Sequence, residues 1–308
     1  MGFPDWYHSL MIMSSDHLTA TAGAGPGRAA VPLGRGRWLS AVVAASAAAV
    51  IAVAGCSSGS KAPAAGGTGG GKPLTAHQAI KLAATASAKV NSLTATLTVR
   101  GASGSAGGLT GSMKIQVKPT VLLDATFNVA GAGAASSQIE EILTHNTIYF
   151  RDSALTRVAG KPWIKIGFSQ LSSKLGLNFA SLVQNLEGSN PLAQTRLFAV
   201  SENIHVVGHQ VVNGVPCTEY QGSYKPGAAL AALPPSFRKL LGPMLRKMGA
   251  QPAEFTVWID GQHLLRKALT HEVIAGQPVT TSYDVTSINQ PVTVTIPPAS
   301  QVGSLPGL

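Results

Sequence analysis

Apolar and polar residues alternate with a period of two along most of the chain after residue 92. This pattern is typical of β-strands that bury one face and expose the other. Glycine-rich segments at 101–108 and 130–135 and the Asn213-Gly214 pair separate successive runs, and such short connections favour an antiparallel meander. The predicted strands are 93–99, 109–117, 121–129, 138–143, 147–150, 163–166, 204–212, 215–224, 254–260, 263–274, 279–288 and 292–296.

Other segments show the spacing of helices. Thr75 can cap a helix that runs from Ala76 to about Asn91, and helical stretches at 168–200 and 228–248 interrupt the strands. A sheet of about ten or eleven strands has to curl, and helices inserted between its strands would lie on the concave face. The sequence therefore predicts an α+β fold, a curved antiparallel half-barrel with helices packed on its concave face. Such a shape is suited to enclosing an apolar molecule.

The N-terminal part has the pattern of an export signal. Three arginines between residues 28 and 37 precede an uninterrupted run of small and apolar residues at 41–55, which Cys56 follows. The run is short for a helix that has to span a hydrocarbon layer of about 30 Å. Its end, Val53-Ala54-Gly55-Cys56, resembles the bacterial lipobox, which implies that Cys56 is acylated and becomes the first residue of the mature protein. The alternative is an uncleaved anchor helix with a buried cysteine.

These features divide the chain into three parts. Residues 1–55 are a predicted lipoprotein signal peptide, 56–74 a flexible tether of glycine, serine, alanine and proline, and 75–300 a single domain. The segment before Arg28 is long for a signal peptide, which predicts that translation starts at Met13 or later. Acylation at Cys56 would place the protein on the outer face of the cell membrane and leave Cys217 without a cysteine partner.

The charge of the chain points to an anionic surface. There are 23 Lys and Arg residues against 13 Asp and Glu residues, a net charge of +10. Removing 1–55, which holds three arginines and two aspartates, leaves a net charge of +9. An exported protein does not ordinarily meet nucleic acid, so we expect an anionic lipid surface or envelope polymer as the partner of this charge.

Candidate catalytic chemistry is sparse. Glu140 and Glu141 are adjacent on a predicted strand, so they point to opposite faces and cannot act there as a general acid–base pair. His205 and His209 are too far apart along an extended strand to share one metal ion. Cys217 is expected to be a buried, inert thiol. No nucleophile-elbow or zinc-protease motif occurs after residue 56, so the sequence predicts no enzyme, no metal and no cofactor.

Short motifs at strand ends and turns carry a family resemblance. They are Ile148-Tyr149-Phe150, Trp163-Ile164-Lys165, Val207-Gly208, Val212-Asn213-Gly214-Val215-Pro216, Glu219-Tyr220, Val257-Trp258-Ile259-Asp260 and Leu264-Leu265-Arg266. In this order, over residues 75–298, they resemble the LppX/LprG-type lipoproteins of actinobacteria and, more distantly, LolA/LolB-type carriers and RseB-type envelope-stress sensors. The resemblance implies a LolA/LprG-like half-barrel around an apolar cavity and, since several members carry lipids or lipid-linked glycans, a lipid-binding role. Glu219 departs from the family pattern, in which histidine often precedes the tyrosine.

Two sets of residues are candidates for binding. Apolar residues of the strands and of the helical stretches are predicted to line the cavity: Ile142, Ile148, Phe150, Trp163, Leu171, Leu175, Leu182, Leu186 and Leu241. Basic residues of the last helical stretch are predicted to meet lipid headgroups: Arg238, Lys239, Arg246 and Lys247. The structural alternatives are core packing for the first set and the solvated face of an amphipathic helix for the second.

Three functional hypotheses remain at this stage. The first is a monomeric, non-enzymatic lipoprotein that binds, and passes on, a lipid or lipid-linked glycan. The second is a sensor or scaffold of the same fold that binds an envelope protein and carries no lipid. The third is an envelope hydrolase, for which the sequence offers no acid to nominate.

Overall fold

One long β-sheet organises the fold. The structure is a computed structural model that describes residues 74–101, 108–130, 136–144, 146–152, 159–170, 195–231, 238, 251–274 and 276–304. These residues belong to one compact unit, Val53–Leu308. The strands are β1 Ser92–Gly101, β2 Leu109–Gln116, β3 Leu122–Ala130, β4 Ser136–Thr144, β5 Thr147–Asp152, β6 Trp163–Gly167, β7 Glu202–Val212, β8 Val215–Tyr224, β9 Ala253–Asp260, β10 Leu265–Ile274, β11 Gln277–Ile288 and β12 Val302–Gly303.

The sheet consists of two meanders joined at one seam. Its order is β12-β6-β5-β4-β3-β2-β1-β11-β10-β9-β8-β7, so consecutive strands are neighbours in each half, and β1 pairs with β11 between the halves. At this seam the backbone N–H of Asn91 donates to Asn289 Oδ1 at 2.8 Å, and Ser92 Oγ donates to the Gln290 carbonyl at 2.6 Å. All pairs are antiparallel except β12 with β6, which makes the sheet mixed and open, with β12 and β7 at its ends.

Register places apolar residues on one face of this sheet. Residues that lie directly opposite each other on neighbouring strands share a face. One row across six strands is Ala95, Met113, Ala125, Glu141, Phe150 and Ile164, and the next is Leu93, Ile115, Leu123, Leu143, Ile148 and Ile166. In the other meander the row from Leu97 continues through Tyr283, Ala268, Val257 and Tyr220. We call the side of the sheet that carries these rows the apolar face.

Two glycines of the sheet lie beneath phenylalanine rings. Gly111 of β2 is opposite Phe127 of β3, and Gly222 of β8 is opposite Phe255 of β9. A Cβ atom at Gly222 would lie 2.7 Å from Phe255 Cζ, and one at Gly111 would lie 2.6 Å from the Thr126 carbonyl oxygen. Each ring therefore fills the space that a side chain on the neighbouring strand would need, as in the aromatic rescue of glycine in sheets.

The α-helices whose bounds the described residues define are α1 Ala76–Ser87, α2 Thr195–Ala199 and α3 Pro226–Ala231. Helix α1 begins with a capping box, in which Thr75 Oγ1 accepts from the Gln78 N–H and Gln78 Oε1 accepts from the Thr75 N–H. The ring of Phe198 in α2 packs 4.6 Å from the ring of Phe255 and 6.5 Å from that of Tyr224, measured between centroids. Helix α1 contacts α2 and β7, and α2 contacts β8.

The predicted strands are confirmed with a few exceptions. The segment 292–296 alternates as a strand does but joins no sheet, while β12 was not predicted. Helix α1 ends at Ser87, before the predicted Asn91. The predicted large open sheet is confirmed, although it has twelve strands where about ten or eleven were expected and contains one parallel pair. The packing of helices on its concave face stays a prediction. The predicted helical stretches at 168–200 and 228–248 are described only at 168–170, 195–200, 228–231 and 238, and the rest lies outside the described residues.

Candidate ligand-binding face

Glu141 is a carboxylate in the middle of the apolar face. On β4 it lies between Ala125 of β3 and Phe150 of β5, and its same-face neighbours along the strand are Ile139 and Leu143. Its side chain is 2% exposed. Within the described part of the chain, Glu141 Oε2 has no hydrogen-bond partner. Burial raises the pKa of Glu141 from the ordinary value of 4.5 to about 7, because an ionised carboxylate is poorly solvated there.

The adjacent Glu140, in contrast, has a basic partner. It lies opposite Arg151 of β5, on the other face of the sheet, and the Arg151 guanidinium donates to Glu140 Oε1. The same guanidinium lies 5.2 Å from the centroid of the Trp163 ring. The prediction that Glu140 and Glu141 point to opposite faces is therefore confirmed.

A second polar atom on the apolar face lacks a partner. Tyr283 of β11 lies between Leu97 of β1 and Ala268 of β10 and is 3% exposed. Its hydroxyl has no hydrogen-bond partner within the described residues, and burial raises its pKa. The apolar face thus carries two polar atoms, Glu141 Oε2 and the Tyr283 hydroxyl, whose hydrogen bonds the described residues do not supply.

The predicted lining residues are not all on one face. Ile148 and Phe150 lie on the apolar face and are 5% and 1% exposed. Ile142 lies opposite Asp124 and Tyr149, and Trp163 precedes Ile164 in β6, so both belong to the other face. The structure therefore places Ile148 and Phe150 on one face of the sheet and Ile142 and Trp163 on the other. Alternation alone does not distinguish the two faces of β4, because the stretch Ile139-Glu140-Glu141-Ile142-Leu143 places an isoleucine and an acid on each face.

The remaining candidates fall elsewhere. Arg238 is exposed to solvent. The proposed lipid-anchor residue Cys56 lies outside the described residues. So do the other members of the two sets, which are Leu171, Leu175, Leu182, Leu186, Leu241, Lys239, Arg246 and Lys247.

The family-like motif at the β9–β10 turn has a structural role. Asp260 is 6% exposed, and its Oδ1 accepts hydrogen bonds from the backbone N–H groups of Gln262 and Leu264 at 2.8 and 2.9 Å. Arg266 Nε donates to Asp260 Oδ2 at 2.7 Å. Glu219, where the family often has histidine, lies opposite Trp258 on the face away from the apolar face. The Asp260–Arg266 pair therefore stabilises the β9–β10 turn, and Glu219 does not lie on the apolar face.

Among the described residues, Cys217, His205 and His209 are not brought together. Cys217 is 4% exposed and packs with Val212 and Trp258, and burial, followed by the negative charge of Asp260, raises its pKa. A bulge in β7 pairs His205 with Gln221 and His209 with Thr218, which places the two histidines on opposite faces. In the part of the chain that the structure describes, no group of three or more His, Cys, Asp or Glu residues is placed to hold a metal ion.

A curated relative matches part of the sequence. No family model matches the sequence. A curated relative, an uncharacterized 31.2 kDa protein in the rplA-rplJ intergenic region of Streptomyces griseus, is 25% identical over 170 residues, which are 54% of this chain and 55% of that protein. The chain thus matches about half the length of that relative.

Solved structures match over a larger share of the chain. LprF from Mycobacterium bovis is 13% identical with a TM-score of 0.47, and the match covers 72% of this chain and 96% of LprF. The lipoprotein LppX from Mycobacterium tuberculosis is 16% identical with a TM-score of 0.43, covering 71% of this chain and 98% of LppX. The MucA/MucB complex of Pseudomonas aeruginosa gives 13% identity and a TM-score of 0.30, covering 73% and 59%. The chain is similar in fold to these proteins.

None of the helices among the described residues combines the length and apolar character that a membrane span requires.

Proposed function

We propose that this chain is a non-enzymatic lipoprotein, held on the outer face of the cell membrane through Cys56, that binds a lipid or lipid-linked glycan on its apolar face. The observation that carries the proposal is the pair of aligned apolar rows, which cross six strands from β1 to β6. An acyl chain needs only apolar contact, and each methylene group removed from water contributes about 0.8 kcal/mol. Such binding requires no catalytic pair, in agreement with the opposite orientation of Glu140 and Glu141.

The membrane side of the proposal comes from the sequence. The predicted acylation at Cys56 would supply the anchor, and the tether at 56–74 would let the domain reach the bilayer. Arg238 is exposed, and with Lys239, Arg246 and Lys247 it would contact anionic headgroups, each basic residue adding about 1 kcal/mol.

The test is native mass spectrometry of the full chain carrying Cys56→Ser, purified from an actinobacterial host, with organic extraction of whatever co-purifies. We expect a bound lipid of one defined class. Ile148→Asp should lose this lipid, since it places a charge on the apolar face. Its matched control is Val211→Asp on β7, where the side chain is 63% exposed and the lipid should be retained. A well-folded wild-type domain that carries no lipid and takes up none from mixed envelope lipids would overturn the proposal.

A second function is favoured by strand β7. This strand is at one end of the sheet order, and within the described residues no strand pairs with its outer edge. Val206, Val207 and Val211 on it are 46–63% exposed. An unpaired apolar edge of this kind can accept an extended segment of another envelope protein by strand addition. Native mass spectra that show one stoichiometric protein and no lipid would support this function in place of lipid binding.

A further inference from the structure

Glu141 lacks the environment that a buried carboxyl normally has. Its neighbours across the strands are Ala125 and Phe150, and those along its own strand are Ile139 and Leu143, so none offers a side-chain hydrogen bond. Tyr283, the other unsatisfied group of this face, lies on β11, four positions away in the sheet order. Buried polar groups in proteins are almost always hydrogen-bonded, and each exception calls for an explanation.

A structural role does not explain this residue. A buried carboxyl with an unsatisfied oxygen lowers the stability of the fold, and a leucine would fill the same position at less cost. The chain does pair the neighbouring carboxylate, since Glu140 accepts from Arg151 on the other face. A residue that breaks the local pattern of its face without a structural gain is characteristic of a functional site.

We propose that Glu141 is the polar anchor of the apolar face, where it accepts a hydrogen bond from a hydroxyl group of an otherwise apolar lipid. The inference rests on the lipid-binding function proposed above and narrows the ligand to lipids with a free hydroxyl beside their acyl chains. The acyl part would contact the apolar rows next to Glu141, which include Phe150 and Ile148. A carboxyl oxygen accepts such a hydrogen bond in either protonation state.

The burial of Glu141 makes this role chemically reasonable. Burial raises its pKa to about 7, so near neutral pH a large fraction of the carboxyl is uncharged and its desolvation costs less. A ligand hydroxyl would then supply the partner that the described residues around Oε2 do not. A lipid without a donor would leave this oxygen unsatisfied and should bind less tightly.

The experiment compares two radiolabelled probes on the immobilised full chain carrying Cys56→Ser. The first probe is dipalmitoylglycerol, which has a free hydroxyl, and the second is its methyl ether, which has the same acyl chains and no donor. We expect the protein with the wild-type Glu141 to bind dipalmitoylglycerol about tenfold to a hundredfold more tightly than the methyl ether. This is the range for a hydrogen bond to a charged or partly charged group. Glu141→Leu should remove the preference while retaining the binding of the ether.

Two further variants complete the design. Glu141→Gln keeps an acceptor oxygen at the same position, so we expect it to keep part of the preference. Glu140→Gln changes the paired carboxylate on the opposite face and should leave both affinities unchanged. Circular dichroism establishes that each variant is folded, and Glu141→Leu is expected to be at least as stable as wild type.

The outcomes distinguish the proposed hydrogen bond of Glu141 from the proposed lipid binding as a whole. Equal binding of the two probes by wild type and by Glu141→Leu would overturn the anchor and leave lipid binding intact. A preference that survives Glu141→Leu would also overturn it, since another residue would then bind the hydroxyl. Failure of wild type to bind either probe would overturn the lipid-binding function, and the anchor with it.

Discussion

At the scale of single residues, the protonation of Glu141 makes the stability of the fold depend on pH. Its pKa is about 7 in the folded protein and close to the ordinary 4.5 when the chain is unfolded. Between these values the folded state keeps a proton that the unfolded state has lost. Stability from this group is therefore fully present below pH 4.5 and decreases as the pH rises through 7.

We predict that this decrease amounts to about 3 kcal/mol in the free energy of unfolding, since one pKa unit corresponds to about 1.4 kcal/mol. Urea denaturation at a series of pH values between 4 and 8 measures it. Glu141→Gln cannot titrate and should lack this part of the pH dependence. Glu140→Gln should keep it, because Glu140 is the partly exposed partner of Arg151 and not the buried carboxyl. Parallel curves for wild type and Glu141→Gln would contradict the assignment.

Gly111 and Gly222 provide a second prediction for single residues. A Cβ at Gly111 would lie 2.6 Å from the Thr126 carbonyl, which is backbone and cannot turn away, and one at Gly222 would lie 2.7 Å from the ring of Phe255. We expect Gly111→Ala and Gly222→Ala each to lower the free energy of unfolding by about 1–3 kcal/mol. Gly261→Ala is the control, because no atom lies within 4 Å of the added Cβ, and a change beyond about 0.5 kcal/mol there would be unexpected. Chemical denaturation of the three variants gives the answer.

Single residues also show the limit of what the sequence predicts. Alternation correctly assigned Glu140 and Glu141 to opposite faces, because the strand period is two. It did not assign which of them faces inward, since Ile139 and Leu143 on one side are balanced by Ile142 on the other. For the same reason Ile142 and Trp163 were grouped with Ile148 and Phe150, and only the register with neighbouring strands separates them.

At the scale of elements, the ring of Phe198 packs helix α2 against the sheet. Phe198 is 2% exposed and contacts Tyr224 of β8 and Phe255 of β9. A helix of five residues has little stability of its own, so its position depends on this tertiary contact.

Phe198→Ala should therefore destabilise the domain by about 3–5 kcal/mol, the usual cost of removing a buried phenylalanine. Val200→Ala is a suitable control, since Val200 follows the same helix and is 46% exposed. Thermal and chemical unfolding of both variants would measure the difference. A loss below about 1 kcal/mol for Phe198→Ala would mean that α2 is not fixed by this ring.

The prediction of elements succeeded where local chemistry determines them. The Asn213-Gly214 turn has φ angles of 50° and 80°, as a tight hairpin turn requires, and both strands that flank it are present. It failed at 292–296, where the alternation is regular but the segment has no pairing partner in the sheet. A period of two in the sequence indicates a half-buried segment and does not indicate whether that segment pairs with another strand. The two residues of β12, which pair with β6, are too few to show any period.

At the scale of the whole molecule, the proposed lipid anchor at Cys56 and the proposed binding face are separate parts of one chain. The two meanders were foreseen from their short connections, whereas the seam between β1 and β11 joins residues far apart in sequence and is visible only in the structure. Cys56 lies outside the described residues, which begin at Leu74, and the predicted tether of small residues separates the two in sequence.

This separation leads to a prediction about membrane attachment. Cys56→Ala should abolish the incorporation of labelled palmitate and move the protein from the membrane fraction to the soluble fraction, because no acyl chains then hold it there. The bound lipid and the unfolding transition should stay unchanged, since binding depends on the apolar face. Cys217→Ala is the matched control at the other cysteine of the chain: its thiol is buried beside Trp258, so labelling and membrane attachment should persist. Retention of the Cys56→Ala protein in membranes without label would instead support an uncleaved anchor helix at 41–55.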